Sequence, residues 1–196
     1  MKLSISVMAH EKREKFFDYL RMKLGDVPFS IDKDGPENIG VWRNCRRSWL
    51  MHDPTADYHV VIQDDSIVCN EFVKRASEFI ERTSDGKNKA YQFYFGNRKA
   101  LKHFADVGHK KGYIEDSTMW WGVAICLPVK LIPEMIKFCD QLKMKQDDVR
   151  IRTFLLSKGI KVCYPMPSLV DHRTEIESLV GDPGQGRKAF YFIDNI

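Results

Sequence analysis

The tripeptide Gln-Asp-Asp occurs at Gln63-Asp64-Asp65 and again at Gln146-Asp147-Asp148. The first copy closes an apolar run, Val60-Val61-Ile62, so two mutually repelling carboxylates stand where a buried strand reaches the surface. Oxygen ligands suit Mg²⁺ or Mn²⁺, and such a cation would remove the repulsion and could hold a diphosphate. Adjacent aspartates also serve as turn formers and helix caps. Here Ser66 or Asn70 can do the capping, which leaves the carboxylates available. The second copy opens a helical pattern, where the helix dipole by itself favours aspartate. His172 follows a strand and two prolines in "YPMPSLVDHR". A glycine-rich segment, "GDPGQGRK" at 181–188, carries Arg187 and Lys188 but lacks the spacing of a P-loop.

Elements must bring these residues together, and the hydrophobic periodicity indicates which. "LSISV" reads as a first strand. A helix follows with Phe16, Phe17, Leu20 and Leu24 on one face and Gly25 as its stop. "VPFSID" is a second strand, ending at Asp32 and the Asp34 loop. "VWRNCRRSWLMH" is a helix, "YHVVIQD" a third strand and "NEFVKRASEFIERT" a helix. "KAYQFYFG" is a fourth strand, and residues 97–117 read as polar and irregular. "MWWGVAICLP" reads as extended. Pro133 opens a helix, "DDVRIRTFLLSKG" is another, and "IKVCYP" a final strand before a loop-rich tail. Strands alternating with helices imply an α/β fold with a central, mostly parallel sheet flanked by helices. In such sheets ligands gather outside the carboxyl ends of the strands. Asp32, Asp34, Asp64 and Asp65 all fall at such ends.

Length and composition bound the reading. A chain of 196 residues with 43% hydrophobic content fills one domain. No apolar stretch approaches the roughly 20 residues of a membrane span, and the apolar run at the N-terminus is too short for a signal peptide. Five widely spaced cysteines without a CxxC argue against a disulfide framework or a cysteine zinc site, and for a reducing, cytoplasmic compartment. The net charge of +4 is compatible with phosphate-bearing partners without requiring them.

The order of the pieces resembles the GT-A (Rossmann-like) nucleotide-sugar glycosyltransferases, closest to small family-2-like and LPS-type enzymes and short phage members. It runs from a first strand and helix, through an acid ending the second strand and a strand ending in an acidic motif, to a glycine-containing apolar segment. A helix opening on an acidic pair and a late histidine complete it. The resemblance covers about residues 3–175. It implies a single GT-A domain over 1–175, with a tail, 176–196, closing over the donor site. It also implies a UDP-sugar donor and Mn²⁺ or Mg²⁺ as cofactor. Asp65 and His172 would be metal ligands, and Asp64 would touch metal or donor ribose. Gln63 stands where the family motif usually has its first acid. Asp32 would read the nucleoside. His10, Arg13 and Arg43 would lie near the nucleotide, with Arg187 and Lys188 over the diphosphate. Asp148, with Asp147 as the other candidate, would be the base that takes the acceptor proton, which predicts inversion.

The acceptor side is read from residues 97–112, "NRKALKHFADVGHKKG", where Lys99, Lys102 and other cations are interleaved with Phe104 and adjoin Tyr113. Cations with aromatics suit a nucleic acid, and equally describe a solvated face. Some phage members of the resembled family glycosylate a hydroxymethylated pyrimidine of DNA, a base that must leave its stack to react. Trp120 and Trp121 stack on a sugar or base in this reading, or else form a hydrophobic wall. The competing acceptor is a glycan or lipid-linked saccharide. Two other functions compete as well. A nucleotidyltransferase would want a glycine-rich early loop, which "SVMAHEKREK" lacks. A non-enzymatic nucleic-acid-binding module would have acidic strand ends that repel phosphate.

Overall fold

The computed structural model describes residues 1–85, 89–96, 110–174, 176 and 188–195. Its centre is a seven-stranded sheet in the order β2-β1-β3-β7-β5-β8-β6. The strands are β1 Leu3–His10, β2 Phe29–Asp32, β3 Tyr58–Gln63, β5 Ala90–Gln92, β6 Tyr113–Asp116, β7 Ala124–Pro128 and β8 Val162–Pro165. β1 pairs parallel with β2 and β3, and β5 parallel with β8. β7 lies antiparallel between β3 and β5, and β6 antiparallel on β8. The sheet is therefore mostly parallel in direction, with β6 and β7 reversed. A separate two-stranded ribbon joins β4 Ser66–Val68 to β9 Val170–His172.

Strand alternation splits the core into two layers. Val60, Ile62, Ala124 and Cys126 face one side, with α1 (Phe17–Leu24) and α3 (Phe72–Thr83) packed on them. Val61, Ile125, Leu127 and Tyr164 face the other, under α2 (Val41–Leu50), α4 (Ile132–Asp140) and α5 (Asp147–Ser157). On that second side β1 presents Ser4 and Ser6. Their hydroxyls bond the ring of buried His59, and Ser6 also donates to Ser48 O. Burial holds the His59 imidazole neutral, with its pKa lowered to about 4.

Four elements depart from the sequence expectation. The helix expected to follow β1 starts as a 3₁₀ turn, Glu11–Phe16, and becomes α-helical only at Phe17. His10 Nδ1 accepts from Lys12 N and fixes that tight start. Residues 113–116, expected to be irregular, form the edge strand β6, because Ile114 alternates into the core. The expected final strand, β8, is followed by β9, whose three residues are too few to show a period. "KAYQFYFG" is strand only over Ala90–Gln92. Beyond it Phe93 N still donates to Ala124 O of β7, while Phe93 O accepts from Leu169 N and Val170 N at the start of β9.

Candidate active site

The carboxyl ends of β1 and β3 lie side by side, and Asp64 staples them together. Its Oδ2 accepts from His10 N at 2.7 Å and its Oδ1 from Arg13 Nη1 at 2.8 Å. The same Arg13 Nη1 reaches Asp65 Oδ2 at 2.6 Å. His172 Nε2 approaches that oxygen at 3.3 Å, brought there by the Ser66↔His172 register of the β4–β9 ribbon. All four side chains are buried. The repulsion within the first Gln-Asp-Asp is thus answered inside the chain by a guanidinium, with the imidazole beside it.

The two carboxylates respond differently. Burial pushes Asp64 up to about 6, against the pull of Arg13 and with the Asp65 charge adding to the push. For Asp65 burial also acts upward, but His172 and Arg13 outweigh it and hold the group below its ordinary value. Asp65 Oδ1 and His172 Nδ1 are buried with no hydrogen-bond partner among the described residues. An orphaned oxygen on a buried carboxylate costs about 1–3 kcal/mol or more, and such an atom in a native structure is explained by strain, a catalytic role, a water or an ion.

The second acidic pair joins the same end of the sheet through Gly122. A Cβ built on Gly122 would stand 3.1 Å from Asp148 Cβ, 3.4 Å from Gln63 Nε2 and 4.0 Å from Asp147 Oδ2. Glycine there lets the first turn of α5 press against the end of β3. Asp147 is buried, with the Cys45 thiol hydrogen-bonded to it. Burial, then the neighbouring Asp148 charge, raises it to about 6. Asp148 is half-buried, and its Oδ1 accepts from Val149 N at 2.8 Å.

The remaining expected site residues distribute as follows. Asp32 is buried at the end of β2, where its Oδ1 accepts from Lys33 N and Ile39 N and shapes the loop into α2. His10 Nε2 lies 3.5 Å from Asp34, which also pairs with Lys12. The Asp34 loop is thereby tied to the end of β1. Trp120 is pinned: its N–H donates to Tyr164 OH and its indole Nε1 to Asp116 Oδ2. Trp121 is exposed with a left-handed backbone, φ 64°, and its carbonyl is held by Gln92 Nε2 at 2.7 Å. A non-glycine residue in that region is uncommon and costs about 1–3 kcal/mol, which the surroundings sustain. Its indole is the one of the two open to stacking. Arg43 makes no hydrogen bond or ion pair with the acidic centre and lines a separate cleft. Lys188 is exposed, and the next residue, Ala189, donates its N–H to Asp171, one residue before His172. Lys99, Lys102 and Arg187 lie outside the described residues.

Three contributors were missed by sequence reasoning: Gly122 as a point of close approach, Cys45 beside Asp147, and the Tyr164 hydroxyl that holds Trp120. Only the glycine has a local signal, a lone Gly beside an apolar strand.

The carboxylates of Asp64 and Asp65 are the oxygen donors a hard divalent cation takes, with Asp65 Oδ1 the orphaned one, whereas the His172 imidazole is a donor more typical of softer metals. In this conformation Arg13 spans the two carboxylates. Among the described residues no three His, Cys, Asp or Glu side chains form a group that could hold a metal ion. No helix among them is long and apolar enough to cross a membrane. All five cysteines are buried and free.

No protein-family model matches the chain, and no curated protein matches it. Among solved structures it is similar to protein A197 from STIV, at 12% identity and a TM-score of 0.48, over 90% of this chain and 87% of that one. It is also similar to a Bacillus anthracis protein, in complex with a sucrose, described as a glucose-1-phosphate thymidylyltransferase. That match has 12% identity and a TM-score of 0.43, over 87% of this chain and 69% of the other.

Proposed function

We propose that the chain is a transferase that uses a nucleotide-activated sugar and passes the sugar to an acceptor hydroxyl. One observation carries the reading. The two acidic pairs, His10 and His172 meet at the carboxyl ends of β1 and β3, where open α/β sheets bind ligands, and Asp65 keeps an unsatisfied buried oxygen there.

In this reading Asp32 and the His10 turn receive the nucleoside, and the diphosphate lies toward Asp65 and His172. Arg13 and the two carboxylates together leave the centre negative, so a diphosphate needs a further cation to approach. Asp65 and His172 would hold Mn²⁺ or Mg²⁺, and the ion, when bound, would supply Lewis-acid stabilisation of the leaving diphosphate. UDP is the nucleotide expected. Asp148, reachable at the first turn of α5, takes the proton of the acceptor hydroxyl as that oxygen bonds the anomeric carbon, which gives inversion. Asp147 sits behind it, buried beside the Cys45 thiol. Trp121 offers a ring for the sugar or acceptor. Of the tail, the described segment 188–195 runs beside the proposed site, with Ala189 N donating to Asp171 next to His172.

The test is product identity. With a panel of nucleotide sugars and Mn²⁺, the chain should release nucleoside diphosphate, and Asp65→Ala and His172→Ala should abolish that release. Pyrophosphate release from a nucleoside triphosphate and a sugar 1-phosphate would instead make it a nucleotidyltransferase. The 3₁₀ turn after β1, which contains no glycine, speaks against that outcome.

A further inference from the structure

On the face of the sheet that carries α2, α4 and α5, a cleft of about 560 Å³ is lined by Ile39, Trp42, Leu50, four arginines and a single carboxylate. The arginines are Arg43, Arg46 and Arg47 on α2 and Arg150 on α5; the carboxylate is Asp140 at the end of α4. Spacing explains the row, since residues three and four apart lie on one side of a helix. Asp140 is already engaged. One of its oxygens accepts from Trp42 Nε1 at 2.9 Å and the other from Arg46 Nε at 3.2 Å. Arg150 is buried, donates to Cys139 O, stacks its guanidinium 5.2 Å from the Trp42 ring centre, and has an Nε without a partner among the described residues. Arg47 donates to Ser30 Oγ and Ile31 O. Arg43 is exposed and has no ion pair among the described residues. One carboxylate against four guanidiniums leaves a surplus of three positive charges in one groove, some of them held by packing before any ligand arrives.

We propose that this cleft binds the phosphodiester backbone of a nucleic acid. Guanidiniums suit phosphate oxygens. A row of them along successive turns of α2 suits a chain of phosphates better than a single one. The indole of Trp42 adds an aromatic surface of the kind that single strands stack on. Two of its lining residues adjoin residues of the candidate active site. Ile39 N bonds Asp32, and Arg150 stands one helical turn from Asp147. A strand seated there passes next to the acidic pair of α5, which makes a nucleic acid the acceptor. That last step rests on the transferase reading; the binding itself does not.

The experiment is fluorescence anisotropy with a labelled single-stranded 20-mer, titrated between 50 and 300 mM NaCl. The parent should bind with a salt slope of several units, since each neutralised phosphate contributes about −0.7 for a single strand. Arg43→Ala should reduce that slope by about one contact, and Arg43→Glu should weaken binding at least tenfold at low salt. Lys74→Glu, an equal charge change on α3 across the sheet, should leave binding unchanged. Equal weakening by Arg43→Glu and Lys74→Glu would overturn the proposal, because binding would then follow net charge. Absence of oligonucleotide binding would overturn it too, as would adsorption only to phosphatidylglycerol vesicles. Arg43 is exposed and bears no hydrogen bond or ion pair among the described residues, so its variants should unfold at the parent's temperature. Nucleoside diphosphate binding, measured on the same samples, reports on the acidic site separately.

Discussion

The same three residues, Gln-Asp-Asp, meet two different fates in this molecule. At 63–65 they end a strand, and Arg13 reaches in to hold both carboxylates while His172 approaches one of them. At 146–148 they start a helix with no guanidinium on either aspartate among the described residues; the buried one has a thiol for company. In both copies burial lifts the first aspartate to about 6. The difference lies in the second. Asp65 is held below the ordinary carboxylate range by His172 and Arg13, whereas Asp148 is half-buried with one oxygen accepting from Val149 N. A local motif therefore does not set a carboxylate's role; the partners that the fold delivers from distant sequence do. The strand copy buries both aspartates against Arg13, and the helix copy buries only its first.

The most severe way to break this contrast is Asp65→Ala. It should abolish turnover while the fold survives, because Arg13 keeps Asp64 as its partner. Circular dichroism and product release together would show it, and near-parental turnover would remove Asp65 from the mechanism. Arg13→Met comes next. It strands two buried carboxylates, and losing one side of a buried pair costs about 3–5 kcal/mol. Urea unfolding at pH 7.5 should record that loss. At pH 5 the loss should shrink, since protonating Asp64, whose folded pKa lies above the ordinary aspartate value, favours the folded state. The same variant should bind Mn²⁺ more tightly without nucleotide, because Arg13 no longer competes for the carboxylates; electron paramagnetic resonance titration reads that directly.

In the helix copy, Asp148→Asn should keep donor binding and lose about 10²–10⁴-fold in transfer rate, as expected for a positioned base. Asp147→Asn should lose less. If the two losses are reversed, Asp147 is the base. Asp147 also makes a prediction about stability. Its folded pKa of about 6 is raised, so the folded state holds the proton more tightly than the unfolded chain. Its contribution therefore weakens the fold as pH rises from about 4 through 6. Asp147→Asn should be more stable than the parent at pH 8 and no better at pH 4, as thermal unfolding at the two pH values would reveal. The smallest effect is expected from Gly122→Ala. Its methyl group would stand 3.1 Å from Asp148 Cβ, so the start of α5 must shift by a few tenths of an ångström. A several-fold drop in rate with a nearly unchanged melting temperature is the expected result.

Much of this architecture is legible in the sequence, for physical reasons. The amphipathic run Phe72, Ala76, Phe79 and Ile80 and the apolar run Val60-Val61-Ile62 announce α3 and β3, because burial on one face or both imposes a period. β9 spans three residues and β6 four, too short for a period to show. The reversal of β7 depends on which strands it lies between, which no local pattern records. The site shows the same division. Asp32, the two acidic pairs and His172 are visible as types at predicted strand and helix ends. That Arg13 lies between Asp64 and Asp65 is a contact across about fifty residues, and Arg150 reaches the α2 arginines across a hundred.

The central claim, that the strand-end acidic centre is a nucleotide-sugar site, is tested most directly by thermal stabilisation with a panel of nucleoside diphosphates, with and without Mn²⁺, in the parent and in Asp65→Ala. Binding to the folded state raises stability by RT ln(1 + [L]/Kd), about 2.7 kcal/mol at a hundredfold excess over Kd. The account predicts a Mn²⁺-dependent shift with one nucleoside diphosphate that disappears in Asp65→Ala. No shift with any diphosphate, or an equal shift in Asp65→Ala, would contradict it.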